Sequence, residues 1–166
     1  PIQNAAQKTG WPWTDTSAPV SYELRQTPNL PKISIVTPSY NQGAFLEETI
    51  RSVLAQNYPR LEYIVMDGGS TDSSVEVLKK FGDRISFWVS AKDRGQSHAI
   101  NKGLARCTGD LFNWINSADL LMPGALCSVA EAGTRHPGSI LSGHIEFFPQ
   151  SATRGSRRAP GPPPPA

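Results

Sequence analysis

Cysteine is scarce: the chain has two, Cys107 and Cys127, and they form no CxxC pair. That excludes the common zinc-ribbon and disulfide-framework readings. Both are read as buried or half-buried free thiols rather than catalytic ones, and a reducing, cytoplasmic setting fits. No apolar run approaches the ~20 residues that a spanning helix needs. The opening PIQNAAQKTG lacks the basic and apolar parts of a signal peptide. Peripheral attachment to a membrane stays compatible with both absences. Concentrated charge is missing too. The net charge is +2, and Arg154, Arg157 and Arg158 at the end account for the excess. The body is close to neutral and offers no basic face of the kind that nucleic acid requires.

Several phosphate and nucleophile motifs are also absent. No GxGxxG follows the first predicted strand and no GxxxxGK[ST] occurs, which removes dinucleotide and P-loop cradles. Ser39 does not sit in GxSxG, so a hydrolase elbow is unsupported. A receiver-type domain is disfavoured as well, because the first strand runs into Pro-Ser-Tyr-Asn rather than an acidic pair.

The 166 residues suit one domain with a sizeable core. Residues 1–31 carry Pro12, Pro19, Pro28 and Pro31 among polar residues and read as an irregular arm, pinned to the body by Trp11 and Trp13. From Lys32 strand and helix alternate. Ile33, Ile35 and Val36 make a strand that Pro38 ends, and Phe45, Leu46, Ile50, Val53 and Leu54 recur at helical spacing. Leu61–Met66 is a second strand. Ser73 and Glu76 suit a capping box for a helix to about Phe81. Ile85–Val89 is a third strand. A helix bearing Ile100, Leu104 and Cys107 follows, with Gly109 just past its end. Leu111–Ile115 is a fourth strand, Pro123 fits the first turn of a helix with Leu126, Val129 and Ala130, and Ile140–Phe148 is a fifth strand. Residues 149–166 end in polyproline and read as a disordered or polyproline-type tail, with a ligand for an SH3-type domain conceivable. The alternation predicts an α/β fold on a mostly parallel sheet over 32–148.

Three apolar runs stop at small polar or acidic clusters: ISIVTPSYNQG (33–43), IVMDGGSTD (64–72) and FNWINSAD (112–119). Open α/β sheets bind ligands beyond the carboxyl ends of their strands. Taken singly, each has a structural reading: a strand-to-helix turn, a glycine turn entering an N-cap, and an Asp119 that favours a helix start. Three together on successive strands point to a site. With no glycine cradle, a divalent metal on a carboxylate is the usual counter-charge for a diphosphate.

The stretches ISIVTPSYNQGAFLEETIRSVLAQNYPRLEYIVMDGGSTD and DRGQSHAINKGLARCTGDLFNWINSADLLMPGAL closely resemble the nucleotide-binding half of family 2 glycosyltransferases, which have the GT-A fold. The resemblance covers about Pro31 to Gly143. It implies that Pro38, Ser39 and Tyr40 line the uridine end of a UDP-sugar, with Tyr40 on the base. Asp67 would accept a hydrogen bond from the uracil or the nearby sugar. Arg94 either helps neutralise phosphates or pairs with Asp93. Gln96, His98 and Asn101 would lie on the following helix, with Gln96 and His98 as candidate substrate-binding residues; His98 stands where many relatives carry Asp, and a sugar contact there is weighed evenly against none. His136 and His144 show no metal-ligand spacing.

The resemblance also implies a Mn²⁺ or Mg²⁺ ion on Asp119. Relatives usually read NSDD or NADD where this chain has Asn116-Ser117-Ala118-Asp119, so a neighbouring carboxylate is replaced and metal-dependent UDP binding is expected to be weakened. The acceptor half and its catalytic base normally follow. Here Glu146 is the sole later carboxylate. That, with Pro1 in place of Met, points to a truncated or processed product, incomplete at its C-terminus. The reading is a GT-A-like domain for inverting transfer to an unknown saccharide or lipid-linked acceptor, or a donor-binding fragment without turnover.

Overall fold

Every residue from Ile33 to Ser39 is buried, as expected of a strand covered on both faces. The computed structural model describes residues 8–17 and 30–146. In it, β1 (Ile33–Ser39), β2 (Leu61–Asp67), β3 (Phe87–Ser90) and β4 (Leu111–Trp114) alternate with α1 (Gly43–Leu54), α2 (Ser74–Phe81), α3 (Gln96–Leu104) and α4 (Ala125–Arg135). All pairings are parallel, in the order β3-β2-β1-β4. The chain winds from β1 to β3 in one direction, then returns through α3 to place β4 on the other side of β1. The direction of winding therefore reverses between β1 and β4, and the crevice at such a reversal is where open α/β sheets take ligands.

Side chains alternate across the strands and divide the core. Ile33, Ile35, Tyr63 and Val65 meet Leu46, Ile50 and Val53 of α1, Leu78 and Phe81 of α2, and Leu126 and Ala130 of α4. Val36, Ile64 and Met66 meet Ala99 of α3 on the opposite face. Gly103 lets α3 sit this close, since a Cβ there would lie 2.5 Å from Val36 Cγ1. Glu47 on α1 joins Arg51 (2.9 Å) and Lys80 of α2 (2.9 Å), tying the two helices at the surface.

The lower edge of the sheet is held by one carboxylate. Glu62 accepts from Lys32 Nζ (2.8 Å), Ser34 Oγ (2.6 Å), Thr108 N (2.7 Å) and Thr108 Oγ1 (2.7 Å). Burial alone would raise its pKa, but the hydrogen bonds from Lys32, Ser34 and Thr108 outweigh this and hold it at about 2.

Four sequence expectations need correction. Pro38 does not end β1, which pairs on to Ser39↔Asp67. Val36 O accepts from Ile115 N on the β4 side, and Ser39 O accepts from Gly68 N on the β2 side. By alternation the Pro38 nitrogen faces β4, whose pairing has already stopped at Val36↔Trp114, so no ladder donor is missed. The Ser73–Glu76 capping box does not form: Ser73 makes no side-chain cap bond, and Asp72 receives Ser74 N (3.0 Å) instead. The predicted helix starts and ends also move. Cys107 lies beyond α3, and Pro123 precedes α4, which opens after Gly124 at φ 79°. The fifth strand is absent over the described part of 140–148. Residues 139–146 have no regular structure and Ile140 is 99% exposed, with no partner strand beyond β4 among the described residues. Residues 147–148 and the 149–166 tail lie outside the described residues, as does most of the 1–31 arm. Both thiols are free and half-buried, with burial raising their pKa values.

Candidate functional site

The ends of β1 and β2 are stitched together by the polar residues that follow them. Parallel register sets Ser39 opposite Asp67, and Asp67 opposite Ser90. Asp67 is 1% exposed. Its carboxylate accepts from Gly69 N (3.1 Å), Ser70 N (2.9 Å), Ser70 Oγ (2.5 Å) and Ser90 Oγ (2.6 Å). Three of these donors meet Oδ2 and one meets Oδ1, so Asp67 shapes the Gly68–Ser70 turn from behind while Oδ1 keeps room for a further donor. Gly69 suits that turn because its φ is +84°. Ser70 Oγ in turn accepts from Asn41 N (2.8 Å), and Asn41 Oδ1 accepts from Thr71 N (2.9 Å). Asp72 accepts from Gly43 N (2.8 Å) and from Ser74 Oγ (2.5 Å). The Ser74 hydroxyl first, then these backbone donors, hold the Asp72 carboxyl below the usual range.

The end of β4 is organised separately. Asn116 Nδ2 donates to Asp119 Oδ2 (2.9 Å), and Asn116 Oδ1 accepts from Gln96 Nε2 at the start of α3 (2.5 Å). Thr49 Oγ1 of α1 donates to the Asp119 carbonyl (2.8 Å). Gln96 and Asp119, singled out separately in the sequence, are thus joined through Asn116.

Between the two stitched ends lies a cleft of about 460 Å³. Pro38, Ser39, Tyr40 and Gln42 form its β1 wall; Asn116, Ser117 and Ala118 form its β4 wall. Gly68, Lys92, Asp93, Gly95, Gln96 and Ala99 complete it. Of the predicted site residues, Pro38, Ser39, Tyr40 and Gln96 therefore line the cleft. Asp67 lies behind it. Arg94 is exposed outside the lining and makes no ion pair with Asp93, which accepts from Gly95 N instead (2.8 Å). His98 Nδ1 accepts from Arg94 N (3.1 Å), so one ring nitrogen is spent on its own turn. Asn101 is exposed, as are His136 and His144.

Lys92 was not singled out by sequence reasoning, and Asp93, Asn116 and Ser117 entered it only as neighbours of Arg94 and Asp119. The available signal was their position just past strands β3 and β4, the same signal that marked TPSYN. Among the described residues no three His, Cys, Asp or Glu side chains gather as a metal cage. A single exposed carboxylate, Asp119, beside the amide nitrogen of Asn116, fits a divalent ion that brings phosphate and water ligands with it, and does not fit an ion held by protein alone.

The family model described as glycosyl transferase family 2 matches residues 34–162. The chain belongs to this family. An uncharacterised glycosyltransferase of Mycobacterium tuberculosis H37Rv is 38% identical over 104 residues, which is 61% of this chain and 40% of that protein. A Campylobacter jejuni protein, GalNAc(5)-diNAcBac-PP-undecaprenol beta-1,3-glucosyltransferase, is 32% identical over 106 residues, 61% of this chain and 34% of that one. The chain spans about two fifths or less of the length of these relatives. Among solved structures, Staphylococcus aureus TarS 1–349 with UDP-GlcNAc aligns at TM-score 0.58 and 23% identity, covering 63% of this chain and 32% of TarS 1–349. The mannosyltransferase PcManGT from Pyrobaculum calidifontis, with GDP-Man and Mn²⁺, aligns at 0.55 and 24%, covering 70% and 34%. At this identity the structures speak for the fold, and it is the GT-A, Rossmann-like one. No helix among the described residues is long and apolar enough to cross a membrane.

Proposed function

We propose that the cleft binds the nucleotide end of a UDP-sugar and that the chain serves inverting transfer of the sugar to a saccharide or lipid-linked acceptor. The observation that carries this is the placement of the cleft at the β1/β4 reversal, with a Tyr40 ring 61% exposed on its wall. An exposed aromatic face in a sheet crevice suits stacking on a base. Pro38 and Ser39 extend that wall, and Lys92 supplies the positive side chain of the lining. Asp67 acts in this reading by fixing the turn that forms the floor at Gly68.

In inverting transfer a base takes the proton of the acceptor hydroxyl as its oxygen attacks the anomeric carbon and UDP departs. Asp119, steadied by Asn116, would hold a Mn²⁺ or Mg²⁺ ion. Such an ion supplies charge stabilisation to a leaving diphosphate. Gln96 orients Asn116 and closes the α3 side of the cleft.

A second reading, donor binding without turnover, draws support from Ala118: the β4 wall presents an alanine methyl where the family resemblance implies a carboxylate. Calorimetric titration with UDP, with and without Mn²⁺, tests the site. Binding that tightens with Mn²⁺ is expected, and absence of UDP binding in both conditions overturns it. Release of free UDP from UDP-sugars by the purified chain decides against the reading without turnover.

A further inference from the structure

The segment following Asp119 is clamped by the N-terminal arm, and this ties a remote stretch of chain to the residues just past the β4 wall of the cleft. From below, α1 holds it: Ser52 Oγ accepts from Leu121 N (3.1 Å) and Gln56 Nε2 donates to Met122 O (2.9 Å). From outside, Trp11 Nε1 donates to Leu121 O (2.9 Å), and Ser17 Oγ accepts from Gly124 N (3.0 Å). The arm is itself fixed. Ser17 N donates to Ala55 O (2.9 Å), and the Trp13 ring lies 4.9 Å from the Arg51 guanidinium. Trp11 is 6% exposed and Ser17 2%, so both bonds are sheltered from water. Loops are the least rigid parts of a fold and hold a ligand group accurately only when their backbone is fixed by neighbours. Leu121 is bonded on both its N–H and its C=O, once to α1 and once to the arm.

We propose that Trp11 and Ser17 are positioning residues: the arm is a strap that holds the Leu121–Gly124 segment, and through it Asp119, which follows directly on the Asn116–Ala118 wall of the cleft. The functional half of this rests on the donor-site reading above; the structural half does not. Among the described residues the strap bonds to Leu121, Gly124 and Ala55 and makes no hydrogen bond to the Tyr40 wall, so its loss should affect the side of the cleft next to Asp119 and spare the nucleoside end.

The test uses the whole chain with Trp11→Phe and Ser17→Ala, each removing one polar group while keeping most of the packing. Trp13→Phe is the control, because Trp13 Nε1 has no hydrogen-bond partner among the described residues and phenylalanine keeps a ring facing Arg51. Amide exchange at Leu121–Gly124 should quicken about three- to tenfold in the first two variants, the effect of losing one sheltered hydrogen bond, and stay unaltered at Gly68–Ser70 and in the control. Unaltered exchange in both variants overturns the strap. The second readout is the gain in UDP affinity on adding Mn²⁺, which should shrink by a similar factor while metal-free UDP affinity holds. An unaltered gain, or equal loss with and without metal, overturns its role at Asp119. A wild-type chain that gains nothing from Mn²⁺ overturns the metal reading of the site, and exchange then still decides whether the strap holds the segment.

Discussion

Glu62 gives a quantitative handle on what holds the sheet edges together. Its carboxyl titrates at about 2 in the folded chain against an ordinary 4.5. At about 1.4 kcal/mol per pKa unit, the depression is worth about 3 kcal/mol at neutral pH. Lys32 is 31% exposed, so solvent screening trims this to about 2 to 3 kcal/mol. The sign follows from the direction. A carboxyl whose folded pKa is depressed stabilises fully above its unfolded pKa and loses that contribution as pH falls toward its folded one. The contribution is therefore intact above about pH 5, and about 1 kcal/mol is left near pH 2.5. Glu62→Gln keeps the shape and removes the titration. Urea unfolding followed by tryptophan fluorescence should give a wild-type-minus-variant gap of about 2 to 3 kcal/mol at pH 7 that narrows by about 2 kcal/mol at pH 2.5. Subtracting the variant cancels the other carboxylates, including Glu47 and Asp72, whose pKa values are also lowered. A gap that stays constant across this range would refute the linkage and leave Glu62 a mere packing element.

Three further outcomes follow from the site. Tyr40→Ala should leave stability within about 0.5 kcal/mol, because the ring is exposed, and weaken UDP about tenfold by removing one stacking surface; equal UDP affinity by calorimetry would remove Tyr40 from the site. Gly43→Ala should destabilise by about 1 to 3 kcal/mol, since a Cβ there would lie 2.9 Å from Ser74 N, a backbone atom that cannot swing away; a thermal melt unchanged from wild type contradicts this packing. Ala118→Asp should tighten UDP in the presence of Mn²⁺ and not in its absence, and unchanged affinity in both sinks the idea that the missing carboxylate weakens metal binding.

The β1 and β2 runs were legible because a strand covered on both faces needs a continuous apolar core, and ISIV and YIVM supply it. The ends of elements were less legible. Pro38 reads as a stop in one dimension, yet it lies inside β1 because its nitrogen faces the side where β4 has already left. Ile140–Phe148 has strand-like composition, but composition cannot supply a neighbour, and β4 offers none to the described part of it.

The site divides along the same line. The sequence alone carried the family resemblance, and it placed the strand ends and the cleft-lining Tyr40 and Gln96, because local patterns of apolar runs and turn residues fix where strands stop. Which groups face the ligand space was decided only by folding. Asp67 reads as a carboxylate at a strand end in DGGSTD, and only register shows that Ser90 and the Ser70 turn donate to it. Lys92 looks unremarked in its loop, yet the return of the chain through α3 brings it to the same cleft as Asn116. Trp11 and Leu121 are far apart in sequence and meet through one hydrogen bond. Hydrogen bonding between distant segments depends on three-dimensional register, and no local pattern along the chain encodes it.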